Sequence, residues 1–142
     1  MGFAHLTLAV RNVQRSVAFF QSTLLWKPLD RPQNIAYPAG WLEIDPGQEL
    51  HLIEIPTFQP SAFEQEYGRH VAISFPRAAF AALQDRLRQH GAEVIPPERE
   101  TPFQRFFFRD PNGYMFEVGE EERMQEVLGP SINNDECLMP NA

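Results

Sequence analysis

Apolar and polar residues alternate with period two in two short stretches, His5-Leu6-Thr7-Leu8-Ala9-Val10 and His70-Val71-Ala72-Ile73-Ser74-Phe75, and each opens with a histidine. An extended chain turns successive side chains to opposite faces. Leu6, Leu8 and Val10 therefore share one face, and His5, Thr7 and Ala9 the other. The second stretch divides in the same way, with Val71, Ile73 and Phe75 against His70, Ala72 and Ser74. In both strands the histidine shares its face with small residues, which leaves room for a cavity beside it.

The period then changes to that of a helix. Over residues 12–25, Val13, Val17, Phe20 and Leu24 form an apolar stripe behind Asn12, a good N-cap. Over residues 77–90 the stripe is Phe80, Leu83 and Leu87, and Gly91 stands where a C′ glycine ends a helix. Short strands are predicted near residues 26–29 and 92–95. Each half then runs a strand into an Asp-Pro turn: Trp41-Leu42-Glu43-Ile44-Asp45-Pro46-Gly47 in the first, Phe106-Phe107-Phe108-Arg109-Asp110-Pro111-Asn112-Gly113 in the second. The strand after the first turn is Glu49-Leu50-His51-Leu52-Ile53-Glu54, and after the second Met115-Phe116-Glu117-Val118. With one extra residue in the second turn, His51 falls opposite Glu117. His51 then points into the cavity with Glu49 and Ile53 on its face, while Leu50 and Leu52 face the opposite layer.

The chain thus repeats itself, and the predicted class is α+β, two tandem βαβββ modules. The modules span residues 3–55 and 68–119 of a single domain, 1–119, joined by a Pro- and Phe-containing connection with no clear period. A short acidic helix is expected over 120–128, its Glu120-Glu121-Glu122 run a solvated face, followed by a loose tail to 142. The repeat also pairs His5 with His70, and His51 with Glu117. Four potential ligands occupy two equivalent pairs of positions.

Composition narrows the partners. The net charge of −7 argues against a nucleic-acid binder, whose phosphate contacts need a basic face. Lys27 is the single lysine, so the other eleven cations are arginines, expected mostly at the surface. No apolar run approaches a membrane span. The single Cys137 fits a reducing compartment, and residues 1–7 lack the basic segment of a signal peptide; a cytoplasmic location is expected.

Between residues 3 and 119 the sequence resembles the vicinal oxygen chelate superfamily, which includes glyoxalase I, methylmalonyl-CoA epimerase, extradiol dioxygenases, fosfomycin-resistance enzymes and bleomycin-resistance proteins. The resemblance rests on the strand opening with His5, the strand at His70, and the closing hairpin Phe108-Arg109-Asp110-Pro111-Asn112-Gly113-Tyr114-Met115-Phe116-Glu117. It implies that the two modules form an incomplete barrel around a metal site. His5 and His70 match the first-strand ligand positions, and Glu117 the last-strand ligand of the second module. His51 stands where glyoxalase I and the epimerase resemble one another in having Glu or Gln. The resemblance also implies a homodimer.

Three histidines and one carboxylate suit one borderline divalent ion per chain: Zn, Ni, Fe, Mn or Co. A small-molecule substrate with two adjacent oxygens would chelate it. Glu117 is then the obvious base towards a carbon acid α to a carbonyl, and His51 either a fixed ligand or the second base. The first expectation is a metal-dependent, glyoxalase-like lyase or isomerase acting on a small carbonyl or hydroxycarbonyl compound, or a thiol conjugate of one. The second uses His5, His70 and Glu117 alone as the facial set of a small Fe(II) or Mn(II) ring-cleavage dioxygenase. The third is a non-catalytic small-molecule binder like the bleomycin-resistance proteins, against which the full ligand set counts. Other residues are assigned ordinary duties. His90 ends a helix, where a cation favours the macrodipole. Phe106, Phe107 and Phe108 are strand core and cavity wall, and Trp41 and Tyr114 are packing residues. Arg69, Arg105 and Arg109 could hold an anionic substrate tail, and surface charge is the expected role of each.

Overall fold

The structure, a computed structural model, describes residues 1–122. The first module consists of β1 (His5–Val10), α1 (Val13–Thr23), β2 (Lys27–Leu29), β3 (Ala39–Asp45) and β4 (Gln48–Glu54). The second consists of β5 (Val71–Phe75), a single 3₁₀ turn (Arg77–Ala79) leading into α2 (Phe80–Gln89), β6 (Val94–Ile95), β7 (Arg105–Arg109) and β8 (Met115–Glu120). Each module makes its own four-stranded sheet, ordered β1-β4-β3-β2 and β5-β8-β7-β6. In both, the first strand runs parallel to the last, and the remaining pairs are antiparallel. Neither sheet closes on itself, and β1 and β5 each lie at an edge.

Local chemistry accounts for the helix ends. The Asn12 side chain accepts from Arg15 N at 2.9 Å, as an N-cap does. Gly91 takes φ +81° after the second helix, so it serves as the C′ residue. The first helix ends the same way without a glycine: Leu25, 63% exposed, holds φ +61°.

One apolar core serves both modules. Leu8, Val10, Leu42, Leu50 and Leu52 of the first sheet join Phe106, Phe108, Phe116 and Val118 of the second, with Phe20, Leu83 and Leu87 from the helices. Period-two alternation therefore sends His5 and His51, and likewise His70 and Glu117, to the faces that point away from that core. A polar clamp locks the modules together. Arg11 N donates to Asn112 Oδ1 at 2.9 Å, Arg11 Nη2 to Pro111 O at 2.7 Å, and the Tyr114 hydroxyl to Ala9 O at 2.8 Å. Asp110 holds this turn by accepting from Asn112 and Tyr114 backbone N–H groups; burial pushes its carboxyl above the usual range.

The acidic run differs from expectation at its start. Glu120 still belongs to β8, opposite Phe75, and is buried, with Oε2 accepting from Gln104 N at 2.9 Å. It is a strand residue rather than part of a solvated helix face. The rest of the expected helix beyond residue 122, and the tail, lie outside the described residues. Among the described residues, no helix is long and apolar enough to cross a membrane.

Candidate metal centre

Register places the first pair of site residues. On the parallel β1–β4 ladder His51 stands opposite Thr7, two residues beyond His5, and across the antiparallel β3–β4 ladder it stands opposite Trp41. The three rings stack: Trp41 on His51 at 4.2 Å between centroids, and His51 on His5 at 4.0 Å with planes 15° apart. Glu49 shares the face of His51, and its Oε1 lies 2.8 Å from His51 Nε2. A carboxylate can only accept, so in the neutral ring Nε2 carries the hydrogen and Nδ1 the free lone pair.

The second pair is built in the same way. Glu117 stands opposite Ala72, two residues beyond His70, and across β7–β8 it stands opposite Phe107. His70 sits immediately before β5, with the Phe107 ring edge-on at 5.5 Å. Its Nδ1 lies 3.2 Å from Gln65 O, and its Nε2 lies 3.3 Å from Glu117 Oε2. Since a carbonyl accepts only, Nδ1 carries the hydrogen. In the neutral ring Nε2 and Oε2 then face each other as two acceptors, an arrangement that a proton or a shared metal ion would satisfy. The donor chemistry therefore fits a divalent ion.

Glu117 is not free on its other side. Its Oε1 accepts from Arg105 Nη1 at 2.9 Å, while Arg105 Nη2 donates to Glu66 Oε2 at 3.0 Å and to Arg99 O at 2.7 Å. The Arg105 side chain is 2% exposed, so it is no surface charge, contrary to expectation. Burial alone would lower its pKa; the bonds to Glu117 and Glu66 outweigh that and raise it. Burial likewise pushes Glu66 up, but the backbone N–H groups of Glu98 and Arg99, and then Arg105, hold it below the usual carboxylate range. Glu66 belongs to the aperiodic connection, which lies over this face of the second sheet. Glu64 from the same segment accepts from Met115 N at 2.7 Å and pairs with Arg69 Nε at 2.7 Å. Arg69 also sits 5.0 Å over the Tyr114 ring, and Arg109 donates to Gly113 O at 3.3 Å. His90 has its expected end-of-helix place, with Nδ1 2.8 Å from Arg86 O.

The four candidate ligands are thus brought together two and two: His5 with His51, and His70 with Glu117. Among the described residues no three His, Cys, Asp or Glu side chains form a group able to hold a metal ion. Sequence reasoning placed Glu49 on the face of His51, where it lies, and missed Glu66 and the contact of Arg105 with Glu117. Alternation carried a signal for Arg105, which shares a face with Phe107. Nothing in the connection's sequence marks Glu66.

The fold is that of a tandem βαβββ protein with one pair of candidate ligand residues on each module. The family model of the Glyoxalase/Bleomycin resistance protein/Dioxygenase superfamily matches residues 2–118, and the chain belongs to that superfamily. It is 30% identical to the lactoylglutathione lyase of Salmonella typhimurium over 137 residues, covering 91% of this chain and 99% of that protein. It is 28% identical to the metallothiol transferase FosB of Shouchella clausii over 123 residues, covering 82% and 78%. A crystal structure of a variant of the fosfomycin resistance protein FosX from Listeria monocytogenes, complexed with Mn(II) and 1S,2S-dihydroxypropylphosphonic acid, superposes with a TM-score of 0.72. That pair is 17% identical, covering 88% of this chain and 97% of the other, so the likeness is one of fold.

Proposed function

We propose that the chain is a metal-dependent, glyoxalase-type lyase or isomerase, and that its metal site is shared between the two copies of a homodimer. The substrate class is a small carbonyl or hydroxycarbonyl compound, or a thiol conjugate of one, with two adjacent oxygens. The observation that carries this reading is the matched register of His51 and Glu117, each two positions beyond its module's leading histidine. The names of the relatives, a lactoylglutathione lyase and a metallothiol transferase, support a thiol-linked substrate and a metal.

The arrangement of faces supports the dimer. The shared core holds the two ligand-bearing faces apart within one chain, while β1 and β5 leave unpaired sheet edges. A two-fold axis that sets β1 of one copy beside β5 of the other would bring His5 and His51 to the partner's ligand pair, twice over. His5, His51, His70 and Glu117 would hold one divalent ion: Zn, Ni, Fe, Mn or Co. The chemistry supplied by the bound ion is Lewis-acid stabilisation of negative charge on substrate oxygens. Glu117 Oε2 accepts the proton from the carbon acid, and His51, oriented by Glu49, offers Nδ1 as ligand or second base. Cys137 as a lone thiol supports a cytoplasmic setting.

Mixing two inactive variants tests the shared site. His5→Ala and Glu117→Gln chains should each bind little metal alone. Refolded together, they should recover close to half a site per chain in the mixed dimers, because one of the two composite sites is then intact. A site confined to one chain gives no recovery, and that result would overturn the shared-site reading. Hemithioacetal isomerisation, with oxygen uptake on catechols as the competing assay, checks the reaction class on metal-loaded protein.

A further inference from the structure

One oxygen of the Glu117 carboxylate, Oε1, is held by Arg105, and the holding extends well beyond the site. Glu66 Oε1 accepts from Glu98 N at 2.7 Å, and its Oε2 from Arg99 N at 2.9 Å. The same Oε2 accepts from Arg105 Nη2, and Arg105 Nη1 reaches Glu117 Oε1. Two backbone N–H groups therefore fix Glu66, Glu66 fixes the guanidinium, and the guanidinium fixes one oxygen of Glu117. The planar fork makes this transmission directional, because its nitrogens cannot turn independently. Phe107 lies under the guanidinium at 5.2 Å and closes off a further direction of movement.

We propose that Arg105, anchored by Glu66, is the positioning residue that makes Glu117 a single-oxygen ligand, presenting Oε2 beside His70 Nε2 and withholding Oε1. This rests on the metal reading above and adds the mode in which one ligand binds. With Oε1 committed to a buried cation, the carboxylate cannot chelate through both oxygens, and Oε2 alone is left for the ion and for the substrate proton. The arrangement also leaves the buried group of Glu66, Arg105 and Glu117 one negative charge in excess, which a divalent ion offsets. Glu66 comes from the connection between the modules, so that segment takes part in the site through Arg105.

Metal binding by wild type, Glu117→Gln, Arg105→Gln, Arg105→Lys and Glu66→Gln separates the possibilities, with circular dichroism confirming that each variant folds. Mn(II) is the probe, followed by isothermal titration and by the electron paramagnetic resonance spectrum of the bound ion. Arg105→Gln is expected to weaken Mn(II) binding by about 10- to 100-fold and to change the spectrum, as the carboxylate becomes free to turn. Arg105→Lys should restore part of the affinity but not the spectrum, since an ammonium cannot bridge both glutamates in the fork geometry. Glu66→Gln should move both readouts in the same sense by a smaller amount, and it carries the test if Arg105→Gln does not fold. Wild-type affinity and spectrum in the folded Arg105 or Glu66 variants, with binding lost in Glu117→Gln, would overturn the positioning role and leave the metal site standing. Failure of wild type to bind Mn(II), Zn(II), Ni(II), Co(II) or Fe(II) would overturn the metal reading itself, and this inference with it.

Discussion

His51 and Glu117 hold the same place in their two modules: each lies two residues past the partner of a leading histidine, and each faces an aromatic ring, Trp41 or Phe107, across an antiparallel pair. The extra residue after Asp110 is matched by the β-bulge between Glu43 and Asp45 in the first hairpin, so the repeat stays in phase. That phase puts both side chains on the faces opposite the core. The outer partners differ in sign, however. Glu49 stands against His51 and Arg105 against Glu117, so each candidate ligand is matched by a group of complementary hydrogen-bonding character.

The stack of Trp41 on His51 gives an optical report of metal binding. Two imidazoles 15° from parallel direct their in-plane lone pairs nearly alongside one another, so joint ligation by His5 and His51 requires one ring to turn. Turning His51 alters its contact with Trp41. Titration with Zn(II) should therefore change tryptophan emission in wild type and leave it unchanged in Trp41→Phe. Trp26, buried against Phe20, supplies the constant background. An equal change in both proteins would mean that the stack does not respond to the metal.

The two helix ends offer a comparison at equivalent positions. Leu25 and Gly91 both hold positive φ after a helix, but only glycine does so without steric cost. Leu25→Gly should raise stability by about 0.5–1 kcal/mol, the relief of the left-handed conformation less the added chain entropy. Gly91→Ala should lower it by about 1 kcal/mol. A Cβ at Gly91 meets nothing within 4 Å, so that loss is conformational alone. Urea melts of the two variants check both signs.

The alternation of a few strands, with Asp-Pro turns as anchors, made the repeat and the register of His5, His51, His70 and Glu117 legible. Arg105 was not, because what makes an arginine burial tolerable is a pair of carboxylates distant in sequence. Glu66 comes from a segment with no period to read, and Glu117 from the next strand. Glu120 was hidden for the opposite reason: a local run of three glutamates reads as a solvated helix start, whereas pairing with β5 and a bond from Gln104 hold it in the sheet. The two-and-two division of the ligands was also beyond reach. It depends on both apolar faces sharing one core, and strand patterning specifies each face without saying which faces meet.

Tyr114 should set an alkaline limit to stability. Burial first, and then the charge of Asp110, push its phenol up to about 12 from 10.0, with Arg69 opposing. A group whose pKa is raised in the folded state contributes stability that is fully present below its unfolded value and lost as pH rises through the folded one. The contribution is present below pH 10 and declines between 10 and 12. Tyr114→Phe should lose about 1 kcal/mol at neutral pH with the bond to Ala9 O, and should flatten that decline. Denaturant melts across this range would show an unaltered slope in the variant if the phenol were not responsible.

His51→Glu tests the departure from glyoxalase I most directly. Glu49 Oε1 already lies 2.8 Å from the His51 ring, so a second carboxylate at that place would set like charges side by side in the metal-free protein. The apo form should therefore lose stability relative to wild type. Divalent metal should reverse the loss, because an ion that binds only the folded state stabilises it in proportion to its affinity. The expected result is a larger metal-induced rise in Tm for His51→Glu than for wild type, together with a gain in hemithioacetal isomerase activity. His51→Ala removes a donor without adding charge, so it should weaken binding without abolishing it. Wild type should also bind metal less well as the solution is made more acidic, because protons compete for ligand lone pairs, and part of that dependence should vanish in His51→Ala. Titrating metal into wild type and His51→Ala between about pH 5.5 and 8 decides the matter. If affinity and pH dependence were the same in both, His51 would play no part in holding the ion. His5, His70 and Glu117 would then remain as a three-ligand facial set, and ring-cleavage oxygenation would replace isomerisation as the better reading.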